Sequence, residues 1–247
     1  MSPGHEPGGS GRPPEPATSS GEACDSGEVV FVVGRTTRGE RGAATRESIL
    51  STAERLFAEN GIYTVSNRRI SEEAELGNSA AVAYHFGTKT ELVRAILRGH
   101  GDRMEHLRAS MVASPGDPES LRYWVSCLVR PMTGHLEELG SPTWYARFAT
   151  QVAADPVLHE IANEDSLSSP SLRFALDGMN RCLPELSDSV RTERWDMGRY
   201  LTTHMCVERE RALAEGAPTL HASWEGFANG LIDAVVGLWS APVTYRS

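Results

Sequence analysis

From Thr45 onward apolar positions recur with a spacing near 3.6, and no convincing alternation of period two appears. Ile49, Ala53, Leu56 and Phe57 share one face and predict a first helix over 45–60, with Thr45 as its N-cap and Asn60-Gly61 as its stop. A short second helix fits 67–74, opened by Ser66 with Ile70 and Ala74 inward, and a turn at Glu75-Leu76-Gly77-Asn78 leads into a third over 79–84. A fourth opens at Thr88, where Thr88-Lys89-Thr90-Glu91 has the form of a capping box. Leu92, Ile96, His100, Met104, Leu107 and Met111 continue it as one stripe to Ser114-Pro115-Gly116, long enough to join two domains.

Beyond it the pattern predicts helices near 118–138, 142–154, 156–164, 168–182, 188–214 and 219–239, with Pro131 expected to kink or split the first. No internal repeat is visible. The expected fold is therefore all-α, with a three-helix N-terminal unit joined by a long helix to a larger helical domain. Residues 1–34 are expected to be a disordered extension, because Gly, Pro, Ser and Glu dominate residues 1–28 and cannot bury enough apolar surface to offset ordering entropy. The run VVFVV at 29–33 reads as an edge strand or packing strap, or as the site of the native start among Val29 to Val33.

Composition changes this picture only locally. The formal net charge of −9 argues against a polyanionic partner for the chain as a whole, but residues 35–100 carry ten Lys and Arg against eight acids and are the only positive segment. Arg35, Arg38, Arg41 and Arg46 crowd ahead of the first helix and read as a mobile basic arm able to track phosphates. Four scattered cysteines without a CxxC spacing give neither a disulfide frame nor a zinc site, and His204 and Cys206, two apart on a helix, diverge too far to share a metal. No metal or cofactor is expected. No apolar run approaches the about 20 residues of a membrane helix, and no signal peptide opens the chain, so a cytoplasmic protein is expected. No GxSxG, P-loop, HExxH or paired-carboxylate arrangement stands in a credible context, so an enzyme is not expected.

The informative stretch is GNSAAVAYHFGTKTELVRAIL at 77–97, where Lys89 is the only lysine in the chain. Helix, short helix, turn, short helix and a capped long helix preceded by aromatic-His-Phe-Gly-Thr-Lys resemble the DNA-binding domain of the TetR family of bacterial transcriptional regulators. The resemblance is carried by residues 44–97; residues 101–247 match only as a helical domain of suitable size. It implies a helix-turn-helix domain over 35–97, a third helix entering the major groove, and a ligand-binding and dimerisation domain over 98–240 whose last two helices pair two subunits. The physics of that motif agrees: small side chains at Ser79, Ala80 and Ala81 admit a helix deep into the groove, while Tyr84, His85 and Lys89 lie where the duplex backbone would pass. Lys89 in the first turn of the fourth helix reads as a phosphate clamp, with Arg46, Ser66, Arg68 and Asn78 as further DNA-contact candidates and Phe86 as core.

Two departures stand out. The family usually has Ala-Gly-Val-Ser before its recognition helix, whereas this chain has Ala74-Glu75-Leu76-Gly77-Asn78, so Gly77-Asn78 is expected to supply the unusual backbone angles. Ala83 also stands where the family often has a second aromatic.

In the larger domain Trp124, Trp144, Tyr145, Phe148, Trp195 and His204 are the candidates for lining an effector pocket. Trp224, Phe227, Gly230, Leu231, Ala234, Val235 and Leu238 are the candidates for the dimer face, with Gly226, Gly230 and Ala234 recurring every fourth position. The expected function is a ligand-responsive regulator, a repressor that binds a palindromic operator in double-stranded DNA as a homodimer and takes a small-molecule effector of unknown identity. The alternative is a helical interaction protein on the same fold that acts through a protein partner without DNA.

Overall fold

The computed structural model describes residues 38–114 and 116–244, all within one compact unit, and among these residues it is helical with no strand. The expectations for residues 1–34, VVFVV and Arg35 lie outside the described residues.

Helix α1 spans Arg38–Asn60, seven residues earlier than the periodicity suggested. Thr45 is not its cap: its hydroxyl donates back to the Arg41 carbonyl at 2.8 Å, inside the helix. Arg38, Arg41 and Arg46 thus belong to a helical extension and not to a mobile arm, since RGERGAA has enough Arg and Ala to continue the ladder once it is nucleated. Helix α2 spans Asn67–Glu73, capped by the Ser66 hydroxyl, which accepts from the Arg69 amide at 3.2 Å.

The turn after α2 differs from expectation. Leu76 N–H donates to Ser71 C=O at 2.9 Å and Glu75 N–H to Glu72 C=O at 3.1 Å, the two bonds of a Schellman motif. That motif places Glu75 in the left-handed position, with φ of 54°, and Gly77 stays out of that region. A glutamate therefore does what glycine does in most such turns.

Helix α3 spans Ala81–Phe86 and ends at Gly87, whose φ of 69° suits glycine. Ser79 and Ala80 fall in the turn before it, where Asn78 Oδ1 accepts from the Ala80 amide at 2.9 Å. Helix α4, Lys89–Ala113, is capped by the Thr88 hydroxyl accepting from Glu91 N–H at 3.1 Å. Only that half of the capping box forms: Glu91 turns to Arg94 at 2.9 Å, and the Thr88 amide donates to Phe86 C=O.

Helix α5, Leu121–Leu139, runs unbroken through Pro131. Proline removes the amide that would reach the Cys127 carbonyl. The buried Arg108 of α4 replaces it, its Nε donating to Cys127 C=O at 3.1 Å. A local helix defect is thus absorbed by a tertiary contact, and α4 is tied to α5 at that point.

Helices α6 (Tyr145–Ala154), α7 (Pro156–Leu167), α8 (Pro170–Cys182), α9 (Asp188–Ala214) and α10 (Trp224–Ser240) complete the chain. Asp155, Ser169, Ser187 and Ser223 cap α7 to α10, and Pro156 and Pro170 occupy first positions where a missing N–H costs nothing. Glu210 of α9 is fully buried and caps α6, accepting from the Ala146 and Arg147 amides at 2.9 and 3.2 Å and from Arg147 Nε at 2.9 Å. Burial pushes its carboxyl above the ordinary range, and these three donors offset that only in part.

The first helices lock onto the rest through α6. Phe57 stacks on Phe148 with centroids 6.2 Å apart, and Gln151 donates to Phe57 C=O at 2.7 Å while accepting from Ile62 N–H at 3.1 Å. The side chain of Gln151 therefore adds a second donor to the Phe57 carbonyl, which already accepts from the Gly61 amide at 2.9 Å, and satisfies the Ile62 amide just beyond α1. Tyr63 adds a bond from its hydroxyl to Asp155 at 2.8 Å.

Candidate nucleic-acid interface and effector cavity

Ile70, Val82, Phe86, Leu92 and Val93 pack with Ile49, Leu56 and Phe57 into the core that fixes α2 and α3 against α1 and α4. That packing leaves Ser66, Arg68, Asn78, Ser79, Ala80 and Tyr84 exposed, with Ala81, His85 and Lys89 half-buried among them. Tyr84 is 84% exposed and meets His85 edge-on at 5.2 Å. A phenol left this open, whose one ring contact is with His85, presents a hydrogen-bonding and stacking group to the solvent.

Lys89 has a task that sequence reasoning missed. Its ammonium donates to the Val65 carbonyl at 2.7 Å and the Ile62 carbonyl at 3.0 Å, so it closes the loop between α1 and α2 against the start of α4. Partial burial holds its pKa below the ordinary lysine range. Two of its three N–H groups are thus committed, and a phosphate role rests on the third. Arg46 lies over the Phe86 ring at 5.0 Å. Arg68 pairs with Glu72 at 2.7 Å on an exposed face, and that carboxylate raises its pKa.

The ligand candidates separate. A cavity of 370 Å³ opens between α4, α7 and α8, lined by Leu97, Met104, Glu105, Arg108, Asp165 and Leu172 among others. Of the six aromatic and histidine candidates only Tyr145 lines it. Trp124 is buried against α8, its indole N–H donating to Pro118 C=O at 2.9 Å, and Phe148 is spent on Phe57. Trp144 is the residue before α6, Trp195 is half-buried in α9, and His204 lies in a separate cleft of 80 Å³ with Tyr200 and Arg199. The wall of this cavity combines Leu97, Met104, Tyr145 and Leu172 with charged residues and serines: burial pushes the Glu105 carboxyl up, but bonds from Ser169 and Ser171, with Arg108 nearby, hold it below the usual range.

The dimer candidates divide as well. Trp224, Phe227, Leu231 and Val235 are buried within this one chain, where α10 lies mainly on α5. A helix face spent on its own core is not free for a second subunit. Gly230, Ala234 and, in part, Leu238 face outward instead, with Gly230 and Ala234 beside Leu201 and Met205 of α9. An apolar groove of 390 Å³ runs between these two helices.

Among the described residues no group of three His, Cys, Asp or Glu side chains is placed to hold a metal, and no helix is long and apolar enough to cross a membrane.

Residues 49–96 match the family model of bacterial regulatory proteins, tetR family. The chain is 32% identical over 122 residues to the HTH-type transcriptional repressor AcnR of Corynebacterium glutamicum, and 31% over 121 residues to AcnR of Corynebacterium efficiens. Each match covers 48% of this chain and 56% of the relative, so the chain spans about half the length of the curated relatives it matches. A solved structure from Shewanella sp. PV-4, described as a tetR family transcription regulator, superposes with a TM-score of 0.55 at 17% identity over 79% of this chain and 96% of that one. At that identity the likeness is one of fold.

Proposed function

We propose that the chain, whose residues 49–96 match the tetR family model, is a homodimeric transcriptional repressor that reads DNA with α3 and releases it when a small molecule enters the cavity between α4, α7 and α8. The observation that carries this reading is the outward projection of Ser79, Ala80 and Tyr84 from a rigid three-helix core, in the segment that matches the family. Exposed small residues at the start of a recognition helix allow close approach to base edges, and the phenol beside them supplies a backbone contact.

A two-fold dimer through the outward face of α9 and α10 would present two copies of α3 to half-sites about 10 bp apart in a palindromic operator. Gly230 and Ala234 let a partner helix approach closely, and Met197 and Met205, 46% and 42% exposed, supply adaptable apolar surface. Effector control follows from connectivity: the cavity is walled by α4, and α4 carries Lys89 and the loop it closes. A ligand that prefers a displaced α4 would change the spacing of the two reading helices, to the extent of its differential affinity for the two states.

Footprinting of the DNA that flanks the chain's own gene, with sedimentation of the complex, tests both parts. Protection of a two-fold symmetric site by two subunits is expected. A monomer on one unsymmetrical patch, or no protection alongside a folded protein, would contradict the reading.

A further inference from the structure

The most unusual cluster in the molecule lies where α1, α4, α5 and α6 meet. His100 Nε2 is 2.8 Å from the Glu54 carboxylate and His100 Nδ1 is 2.6 Å from His135 Nε2. The His100 ring lies flat on Tyr145, with centroids 3.9 Å apart and planes inclined by 21°. Glu54 belongs to α1, His100 to α4, His135 to α5, and Tyr145 to α6 and the cavity wall. His135 is buried, and its Nδ1 has no hydrogen-bond partner. These rings point at each other and at a carboxylate, an arrangement for protons and not for a metal.

The hydrogen-bond inventory restricts what this chain can hold. An ionised carboxylate only accepts, so His100 Nε2 carries a hydrogen. With no extra proton, His100 Nδ1 accepts from His135, and the nearly buried Glu54 charge faces two neutral rings. With one extra proton, His100 donates from both nitrogens, the His–His bond reverses direction, and the positive charge stands between Glu54 and His135. With two, both facing nitrogens carry hydrogens and the 2.6 Å contact cannot persist. One proton is the occupancy that balances the charge of the carboxylate and preserves every contact.

We propose that His100 and His135 share a single proton that balances Glu54, and that this proton fastens α1 of the DNA-reading unit to the cavity-bearing helices. Glu54, His100 and His135 are then positioning residues for DNA binding, and Tyr145 is the point at which a ligand in the cavity disturbs them. The other charged groups acting here are Arg103 of α4 and Glu138 of α5, which pair with each other at 2.6 Å. They oppose one another in their effect on His135. The depressed affinity of His135 for a proton, caused first by burial and then by His100, agrees with refusal of the second proton.

The coupling rests on the DNA-binding reading for its consequence but not for its test. Amide hydrogen exchange of α1 is measured in the full chain and in the His135→Gln and Glu54→Gln variants at pH 6.5 and 8.5, and variant-to-wild-type ratios are taken at each pH so that intrinsic rates cancel. Faster exchange in the variants, by roughly severalfold at pH 6.5 and converging on wild type at pH 8.5, where an imidazole no longer keeps an extra proton, is expected. A ratio that is the same at both pH values would reduce the cluster to packing and overturn the proposal. Two variants guard against a folding defect in either one. DNA affinity, titrated in parallel, should lose its pH dependence in Glu54→Gln. Convergent exchange ratios without DNA binding would remove the functional reading and leave the shared proton standing; selective DNA binding with flat ratios would do the reverse.

Discussion

Glu75 shows how a single residue can be read wrongly for a physical reason. A left-handed backbone angle on a side chain with a Cβ costs on the order of 1 kcal/mol, offset here by the two Schellman bonds that terminate α2. Glu75→Gly is therefore expected to stabilise the chain by about 0.5–1 kcal/mol, seen as a Tm higher by about 1–4 °C; a lower Tm would mean that the carboxylate has a further partner. Lys89 is the companion case. Its isolation in an arginine-using chain suggested a phosphate clamp, but helix periodicity carries no information about carbonyls in a loop 24 and 27 residues earlier. Lys89→Ala leaves the Ile62 and Val65 carbonyls without their donor and should cost about 1–3 kcal/mol in denaturant unfolding. If the third N–H meets a phosphate, the same change lowers the slope of log affinity against log salt by about 0.9. Unchanged stability would show that the loop is held by other means.

At the scale of elements the sequence was informative wherever a cap was local. Ser66 and Thr88 mark the starts of α2 and α4 as expected, because a hydroxyl and the amide it caps are three residues apart. Starts were misplaced by a few residues where the cap was not recognised, as at Ser223 for α10, or where helix-forming residues simply continued, as before Thr45 in α1. Pro131 was expected to kink or split α5; the helix is not split there, and Arg108, 23 positions away on another helix, supplies the donor that the Cys127 carbonyl lacks. Arg108→Met strands the Cys127 carbonyl and should destabilise by about 1–3 kcal/mol. Pro131→Ala restores the intrahelical donor, so a double-mutant cycle should show a coupling of about 1 kcal/mol. Additive effects would separate the proline from the arginine.

For the whole molecule, the features that escaped the sequence are those assembled from distant segments: the cavity between α4, α7 and α8, the outward stripe of α10, and the Glu54–His100–His135 chain. Apolar periodicity marks which residues are buried but not whether they are buried by their own chain or by a partner, and for that reason Trp224, Phe227, Leu231 and Val235 looked like interface residues. Ala234→Arg, on an exposed position, should convert the proposed dimer to folded monomer in sedimentation; a dimer that survives would place the interface elsewhere. Acid stability is a second global consequence. His135 is depressed from 6.5 to about 4, first by burial. Between those values unfolding lets His135 bind a proton that the native chain refuses, so the contribution of neutral His135 to stability is complete above about pH 6.5 and is lost as pH drops toward 4, by on the order of 3 kcal/mol. His135→Gln should flatten that part of the pH profile, and an unchanged profile would assign the acid sensitivity to other groups.

Sequence-selective DNA binding through α3 is the function proposed for this chain. Fluorescence anisotropy of the purified chain on a duplex from beside its own gene, and on a scrambled duplex of equal composition, tests it at low and physiological salt. Tight binding to the first duplex that persists over the scrambled one as salt rises, and that collapses for both Tyr84→Ala and Ala80→Glu, is the result expected. Equal binding to the two duplexes at every salt concentration, or selectivity untouched by both substitutions, would contradict it.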